Sequence, residues 1–295
     1  MQPPANMPPF VRTDGSNPFA QDTFNRRIPA IIRETMALNP DYPDSIQQAL
    51  QDLHDSIVND EPMPMLTFPA PDYASWLVDW QANQQDTWLN SYWYFSETFM
   101  YRHMLGATRW WETRRDLFRP RKMQEYRSEA HWKLLNAALE IDQSDSANLQ
   151  EIVSLPLWGN RIDLSFEASL ERGFEAAEED LMTDDSPQIV EQLLNGSGPV
   201  HIVTDNAGSE LTMDFVLVDT LLKMQVPVFM HVKMHPTYVS DATVEDVLSF
   251  FDMLLSGDYG QPALAFGQRL QRALHEGRLR LMPDFFWNSA RYLWQ

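Results

Sequence analysis

The chain has no cysteine among its 295 residues. That excludes disulfides, thiolate zinc sites and cysteine nucleophiles, so any metal here must take oxygen or histidine ligands. Basic residues are scarce, 22 against 42 acidic, giving a formal net charge of -20. Nucleic acid and anionic membrane are therefore poor partners, because both recruit cationic side chains to neutralise phosphates. A phosphorylated metabolite is still compatible with the charge, provided a metal and one or two basic groups act locally. No apolar run approaches the length of a bilayer span, and the opening MQPPANMPPFVRTDGS has neither a basic n-region nor an apolar h-region. These features predict a soluble, cytoplasmic protein of one or two domains.

Helical spacing dominates the first half. Phe24, Ile28, Ile31, Ile32 and Met36 form an apolar stripe that Asn39-Pro40 ends. Pro43 precedes a second stripe, Ile46, Leu50, Leu53 and Ile57, with Asp44 predicted as its N-cap. The lead-in over 1–21 shows no chemistry and is expected to pack through Phe10 and Phe19. Residues 61–71 read as a proline-rich connector, and the Trp and Tyr residues of 71–105 read as helix packing. One further helix is predicted over 122–141.

Beyond this the period changes. Asn195-Gly196-Ser197-Gly198-Pro199 marks a turn, and PVHIVTD (199–205) and VPVFMHVK (226–233) read as buried strands. Helices are predicted over 208–223 and 244–255, and LRLMP (279–283) begins a possible third strand. Strand and helix in alternation indicate an α/β fold: a helical amino-terminal lobe, 19–145, followed by a Rossmann-like core with a mostly parallel sheet, 146–295.

Ligands of parallel sheets collect beyond the carboxyl ends of the strands. Asp205-Asn206 ends the first strand and Asp241 follows the second, so neighbouring strands would bring them together. Their oxygens suit Mg²⁺ or Mn²⁺. Gly208 permits close backbone approach, and the helix opening at Ser209-Glu210 would favour an anion. Asp205 and Asn206 are equally able to cap that helix, and on composition alone capping is the stronger reading. Lys233 fits a phosphate contact or a salt bridge to an acid of the same crevice. His231 and His235 flank it, and neither is required as a ligand.

Four segments, WYFSETFMYRHML (93–105), LWGNRIDLS (157–165), DNAGSELTMDFVLVD (205–219) and HVKMHPTYVSD (231–241), resemble successive signatures of the metal-dependent damage-control phosphatases. That family was formerly domain of unknown function 89, and the similarity is to its third, acidic residue methyltransferase-like subfamily. FAQDTFNRRIPAIIRE (19–34) is also similar. The resemblance implies a Rossmann-like core and dephosphorylation of sugar phosphates such as fructose 1-phosphate or fructose 6-phosphate with Mn²⁺, Co²⁺, Ni²⁺ or Mg²⁺. It implies that Asp205, Asn206 and Asp241 are the metal ligands and catalytic residues, with Asp205 and Asn206 also facing substrate. Glu97 and Asn160 lie inside shared motifs and would orient substrate, or else make packing contacts.

Two other expectations follow. Glu210 matches a position proposed to contact S-adenosylmethionine, which makes a protein-glutamate O-methyltransferase the alternative, although no glycine-rich cofactor loop is present. Relatives continue past the segment that FFWNSARYLW (285–294) resembles into Gly-Asp-x-Asn-Tyr-Arg and Arg-Thr-x-Lys signatures, which this sequence lacks. A core without its last strands and its main cationic anchors is therefore expected, with apolar sheet surface exposed. A homologue that binds metal without turnover is the third reading.

Overall fold

A computed structural model describes residues 7–67, 70–143, 145–158 and 183–293. The chain forms two compact units, one of 1–121, 235–239 and 285–295, the other of 122–234 and 240–284.

The first unit is helical. Asn17 caps the opening turn by accepting from the backbone N–H groups of Phe19 and Ala20, and after one π-helical turn, Thr23–Arg27, the helix Ile28–Leu38 continues to Asn39. Its stripe packs against the helix Asp44–Val58, whose Ile46, Leu50, Leu53 and Ile57 are buried as their spacing predicts. Asp44 is not the cap, however. Pro43 occupies that position in an extended conformation, and Asp44 is the first helical residue, its carboxylate favoured by the positive end of the dipole. Trp76, Trp88, Phe95 and Phe99 are buried, so the aromatic density is core. Phe10 and Phe19 pack on Tyr92 and Trp93, as expected of the lead-in, while staying half-exposed. Arg102 reaches Asp72 through two hydrogen bonds of 2.7 and 3.0 Å, both residues buried.

The second unit is α/β. Its sheet has three parallel strands in the order β1 (Val200–Val203), β2 (Val228–Lys233), β3 (Leu279–Asp284). Val203 lies beside His231, and Lys233 beside Asp284. Helix Ser209–Lys223 connects β1 to β2, and two helices, Val244–Ser256 and Gln261–His275, connect β2 to β3. The second of these has no counterpart in the sequence reading, although Ala263, Phe266, Leu270 and Ala273 are spaced for one buried helical face. Val228, Met230 and Val232 are buried in the core with Phe215, Phe250 and Leu254.

Two expectations change here. β1 and β2 are not buried on both faces, because alternate residues point apart: Val203 is 53% exposed and His201 is exposed as well. The single helix over 122–141 is two, Arg119–Tyr126 and Glu129–Glu140, because Ser128 is extended and its hydroxyl caps the second by accepting from Ala130 N–H. Among the described residues no helix is long and apolar enough to cross a membrane.

Candidate functional site

The site is built at the carboxyl ends of β1 and β2. The backbones of Asn206 and Asp241 form an isolated antiparallel bridge. Asp205 C=O accepts from Ala242 N–H at 2.7 Å, and Ser240 C=O accepts from Ala207 N–H at 2.7 Å. Asp205, Asn206 and Asp241 thus lie on two adjoining backbone segments. The carboxamide of Asn206 is fixed from both ends: Oδ1 accepts from the Ser240 hydroxyl, and Nδ2 donates to Glu210 Oε2 at 3.1 Å. Its oxygen keeps a second lone pair.

The helix that opens at Ser209 is capped, but not by Asp205 or Asn206. Glu125 Oε1 accepts from Ser209 N–H at 2.6 Å, and the Tyr126 hydroxyl accepts from Gly208 N–H at 2.9 Å. The anion that this helix start favours is therefore supplied from within the chain, contrary to the expectation that the helix end invites a ligand. Relieved of capping, the Asp205 carboxylate and the second lone pair of the Asn206 oxygen, both just beyond β1, can face a ligand. Gly208 is required for this arrangement: its φ is +96°, and a Cβ would collide with the Glu125 carboxylate. Gly208→Ala is expected to cost more than about 1 kcal/mol, read as a lowered urea midpoint.

Acidic charge accumulates here. Asp241 is buried, and burial pushes its carboxyl up to about 6, with Lys233 opposing and Asp205 adding to the rise. Asp214, one turn along the helix from Glu210, is pushed up to about 8 by burial and then by Glu210 and Asp205. Glu210 is raised by burial too, with the Asn206 hydrogen bond opposing and Asp205 and Asp241 adding repulsion. Two lysines answer this charge. Lys233 Nζ pairs with Asp241 Oδ2 at 3.1 Å. Lys122, 1% exposed, donates to the Asp241 carbonyl at 2.9 Å and to Asp246 Oδ2 at 2.7 Å. Asp246 also closes the capping box of its own helix with Thr243.

The raised carboxyls set a pH dependence. A carboxyl whose folded pKa exceeds its unfolded value of 3.8 contributes stability below 3.8 and loses it as pH rises through the folded value. His131, held near 4 by burial, acts oppositely: its contribution is intact above 6.5 and is lost as pH falls. Above 6.5 the carboxyls decide. The metal-free chain is expected to show a lower urea midpoint at about pH 8.5 than at about pH 6.5, and saturating Mn²⁺ to narrow the gap.

The donor set suits a hard divalent cation. Among the described residues no three His, Asp or Glu side chains converge into a ready-made cage. Two carboxylates and one carboxamide, surrounded by carboxyls whose mutual repulsion a cation would relieve, match the way Mg²⁺-type ions are held by one or two carboxylates while water and substrate oxygens complete the shell. Glu97 belongs to the helical unit, buried, 3.5 Å from Arg27, its carboxyl raised by burial. Asn160 lies outside the described residues. His235 is buried in the helical unit, its carbonyl held by Asn288 at 2.9 Å. Lys122, Glu125, Tyr126 and Asp214 were missed. Their only sequence signals were the i, i+3, i+4 spacing of the first three and the i, i+4 spacing of Asp214 from Glu210.

The chain is 28% identical over 300 residues to the damage-control phosphatase ARMT1 of Danio rerio and, again over 300 residues, to that of Xenopus tropicalis, each match covering 83% of this chain. The Bos taurus protein of the same name is 26% identical over 235 residues. The chain spans about two thirds of the first two relatives, 66% and 67% of their lengths, and 53% of the third. Its fold is similar to that of a DUF89 family protein from Pyrococcus horikoshii, with a TM-score of 0.52 at 16% identity, covering 90% of this chain and 73% of that one. The model of the damage-control phosphatase ARMT1-like domain matches residues 23–295, and with it the chain belongs to the ARMT1-like damage-control phosphatase family.

Proposed function

We propose that the chain is a divalent-metal-dependent phosphomonoester hydrolase acting on small sugar phosphates of the fructose 1-phosphate or fructose 6-phosphate type. The observation that carries this reading is the release of Asp205 and Asn206 from capping by Glu125 and Tyr126, beside Asp241. Asp205, Asn206 and Asp241 would hold the cation, Mn²⁺, Co²⁺, Ni²⁺ or Mg²⁺. Bound there, it would polarise a phosphoryl oxygen.

The remaining work falls to this chain's own groups. Ser240 and Glu210 fix the Asn206 carboxamide so that its oxygen meets the ligand without a rotamer search. Lys233 carries its ammonium on the last residue of β2, 15% exposed, and would exchange part of its pairing with Asp241 for a phosphate oxygen. Lys122 anchors the Asp241 carbonyl from the buried side and keeps that loop in register with β1. Glu210, the residue matched to S-adenosylmethionine contact, serves here as the partner of Asn206, and no observation favours the methyltransferase reading.

A second reading, metal binding without turnover, is favoured by one observation: Lys122 and Lys233 each pair with a carboxylate of the same site. Assay with Mn²⁺ or Co²⁺ on a sugar-phosphate panel, together with metal titration, separates the two. Turnover that disappears in Asp205→Ala supports the hydrolase. Metal binding that needs Asp205, without turnover, supports the second reading, and turnover that survives Asp205→Ala sinks the assignment of that residue.

A further inference from the structure

A separate cluster lies on the half-exposed face of the same sheet. The β1–β2 register sets His201 beside Phe229 and Val203 beside His231, so the two imidazoles meet diagonally across the strand pair. His201 Nδ1 and His231 Nε2 are 2.8 Å apart, with ring centroids at 5.1 Å and planes 24° from parallel. The surroundings are open to water, Val203 being 53% and Met282 40% exposed.

Two ring nitrogens this close share one proton, which one donates and the other accepts. Moved to the other nitrogen of its own ring, that proton leaves two facing lone pairs, and a turn of each ring off the N···N line would aim both at one cation. Burial and the neighbouring His201 hold the His231 imidazole below its ordinary value, while Asp284 at the end of β3 acts in the other direction by favouring positive charge. A cation in the proton's place would gain from the same carboxylate. For metal–nitrogen bonds of about 2.0 Å, cis ligands at a right angle stand ~2.8 Å apart and tetrahedral ligands ~3.3 Å apart, so the pair need part by no more than about half an ångström to serve one ion.

We propose that His201 and His231 form a second divalent-metal site, separate from the oxygen-ligand site, that takes a nitrogen-preferring cation, Ni²⁺ or Cu²⁺. Water fills the remaining positions, and the hydrogen-bonded proton moves, by exchange with solvent, to the other nitrogen of its own ring, so that both imidazoles bind as neutral ligands. Imidazole nitrogen favours these ions over Mn²⁺ and Mg²⁺, so the two sites differ in ligand chemistry as well as in place.

The test titrates untagged protein with Ni²⁺ and, separately, Mn²⁺ by calorimetry, using the native chain, His201→Asn, His231→Asn and Asp205→Ala, with thermal midpoints as a check on folding. Either histidine substitution is expected to weaken the nitrogen-site Ni²⁺ event by about tenfold or more and to leave Mn²⁺ binding unchanged. Asp205→Ala should leave that Ni²⁺ event intact. Electron paramagnetic resonance of the Cu²⁺-loaded native chain should show hyperfine coupling to two nitrogens, and that of either histidine variant to fewer. Ni²⁺ binding that is unchanged in both histidine variants, or a Cu²⁺ spectrum without two coupled nitrogens, would overturn the proposal. Neither result depends on whether the oxygen site hydrolyses phosphate.

Discussion

Asp205→Ala is expected to lower phosphatase turnover by about 10²–10³-fold or more, the size of loss found when one preorganised electrostatic group is removed from a reacting centre. Asp205 is exposed, and the backbone contact its segment makes, C=O to Ala242 N–H, does not involve the side chain. The substitution should therefore leave stability nearly unchanged, which makes the activity loss interpretable. Removing this negative charge also relieves the repulsion that Asp205 exerts on Asp241, Asp214 and Glu210. The metal-free variant should be slightly more stable than the parent above neutral pH, while gaining less from added Mn²⁺. The paired measurements are sugar-phosphate turnover and the Mn²⁺-dependent shift of the urea midpoint. A variant that keeps both would remove Asp205 from the site. Asp241→Ala should cost at least as much turnover, but with a stability penalty, because it removes the 3.1 Å ion pair with Lys233.

The largest effect on folding is expected at Lys122. Its ammonium is enclosed, bonded to a carboxylate that is itself 7% exposed and to the Asp241 carbonyl. Lys122→Met keeps most of the volume and deletes the charge, leaving Asp246 as a buried anion with the Thr243 N–H and hydroxyl as its remaining donors among the described residues. Breaking one side of a buried pair costs about 3–5 kcal/mol, because the partner's desolvation is no longer offset. Replacing both members should cost much less than the single change. Lys122→Met with Asp246→Leu loses the capping box, worth about 1 kcal/mol, but buries no lone charge. Denaturant midpoints of the two singles and the double form a cycle, and a double variant no more stable than Lys122→Met would refute the pairing argument. Loss of metal affinity in Lys122→Met would further connect this anchor to the Asp241 loop.

Much of the architecture follows from pattern. The stripes of Ile46, Leu50, Leu53 and Ile57 and of Leu211, Phe215, Val218 and Leu222 need only a 3.6-residue period to bury one face, and they do. VHIV and VFMHVK are β-branched runs bounded by turn residues, and the helix between them makes their pairing parallel. The placement of Asp205-Asn206 and Asp241 beyond adjacent strand ends was legible for the same reason, because a parallel sheet aligns the carboxyl ends of neighbouring strands.

Other features depend on contacts between residues far apart in the chain. Whether Asp205 and Asn206 cap their helix could not be settled locally, because the competing cap is Glu125, 84 positions before Ser209. The break at Ser128 is of the other kind, a local cap: its hydroxyl accepts from Ala130 N–H at 3.2 Å and starts a new helix. Phe10 and Phe19 were legible as packing residues, meeting Tyr92 and Trp93, whereas nothing local reveals that they stay half-exposed.

The sequence by itself therefore determined most of the periodic elements, the parallel core, the family and the oxygen donors offered by Asp205, Asn206 and Asp241, because each depends on local spacing or on an ordered set of motifs. Only the tertiary structure decided that Glu125 and Tyr126 take over the capping, that Lys122 secures the Asp241 loop, and that His201 and His231 face one another. Each of these is a meeting of side chains fixed by strand register and by burial in a low-dielectric interior, where a charge or an N–H group must find a partner however distant that partner is in the chain.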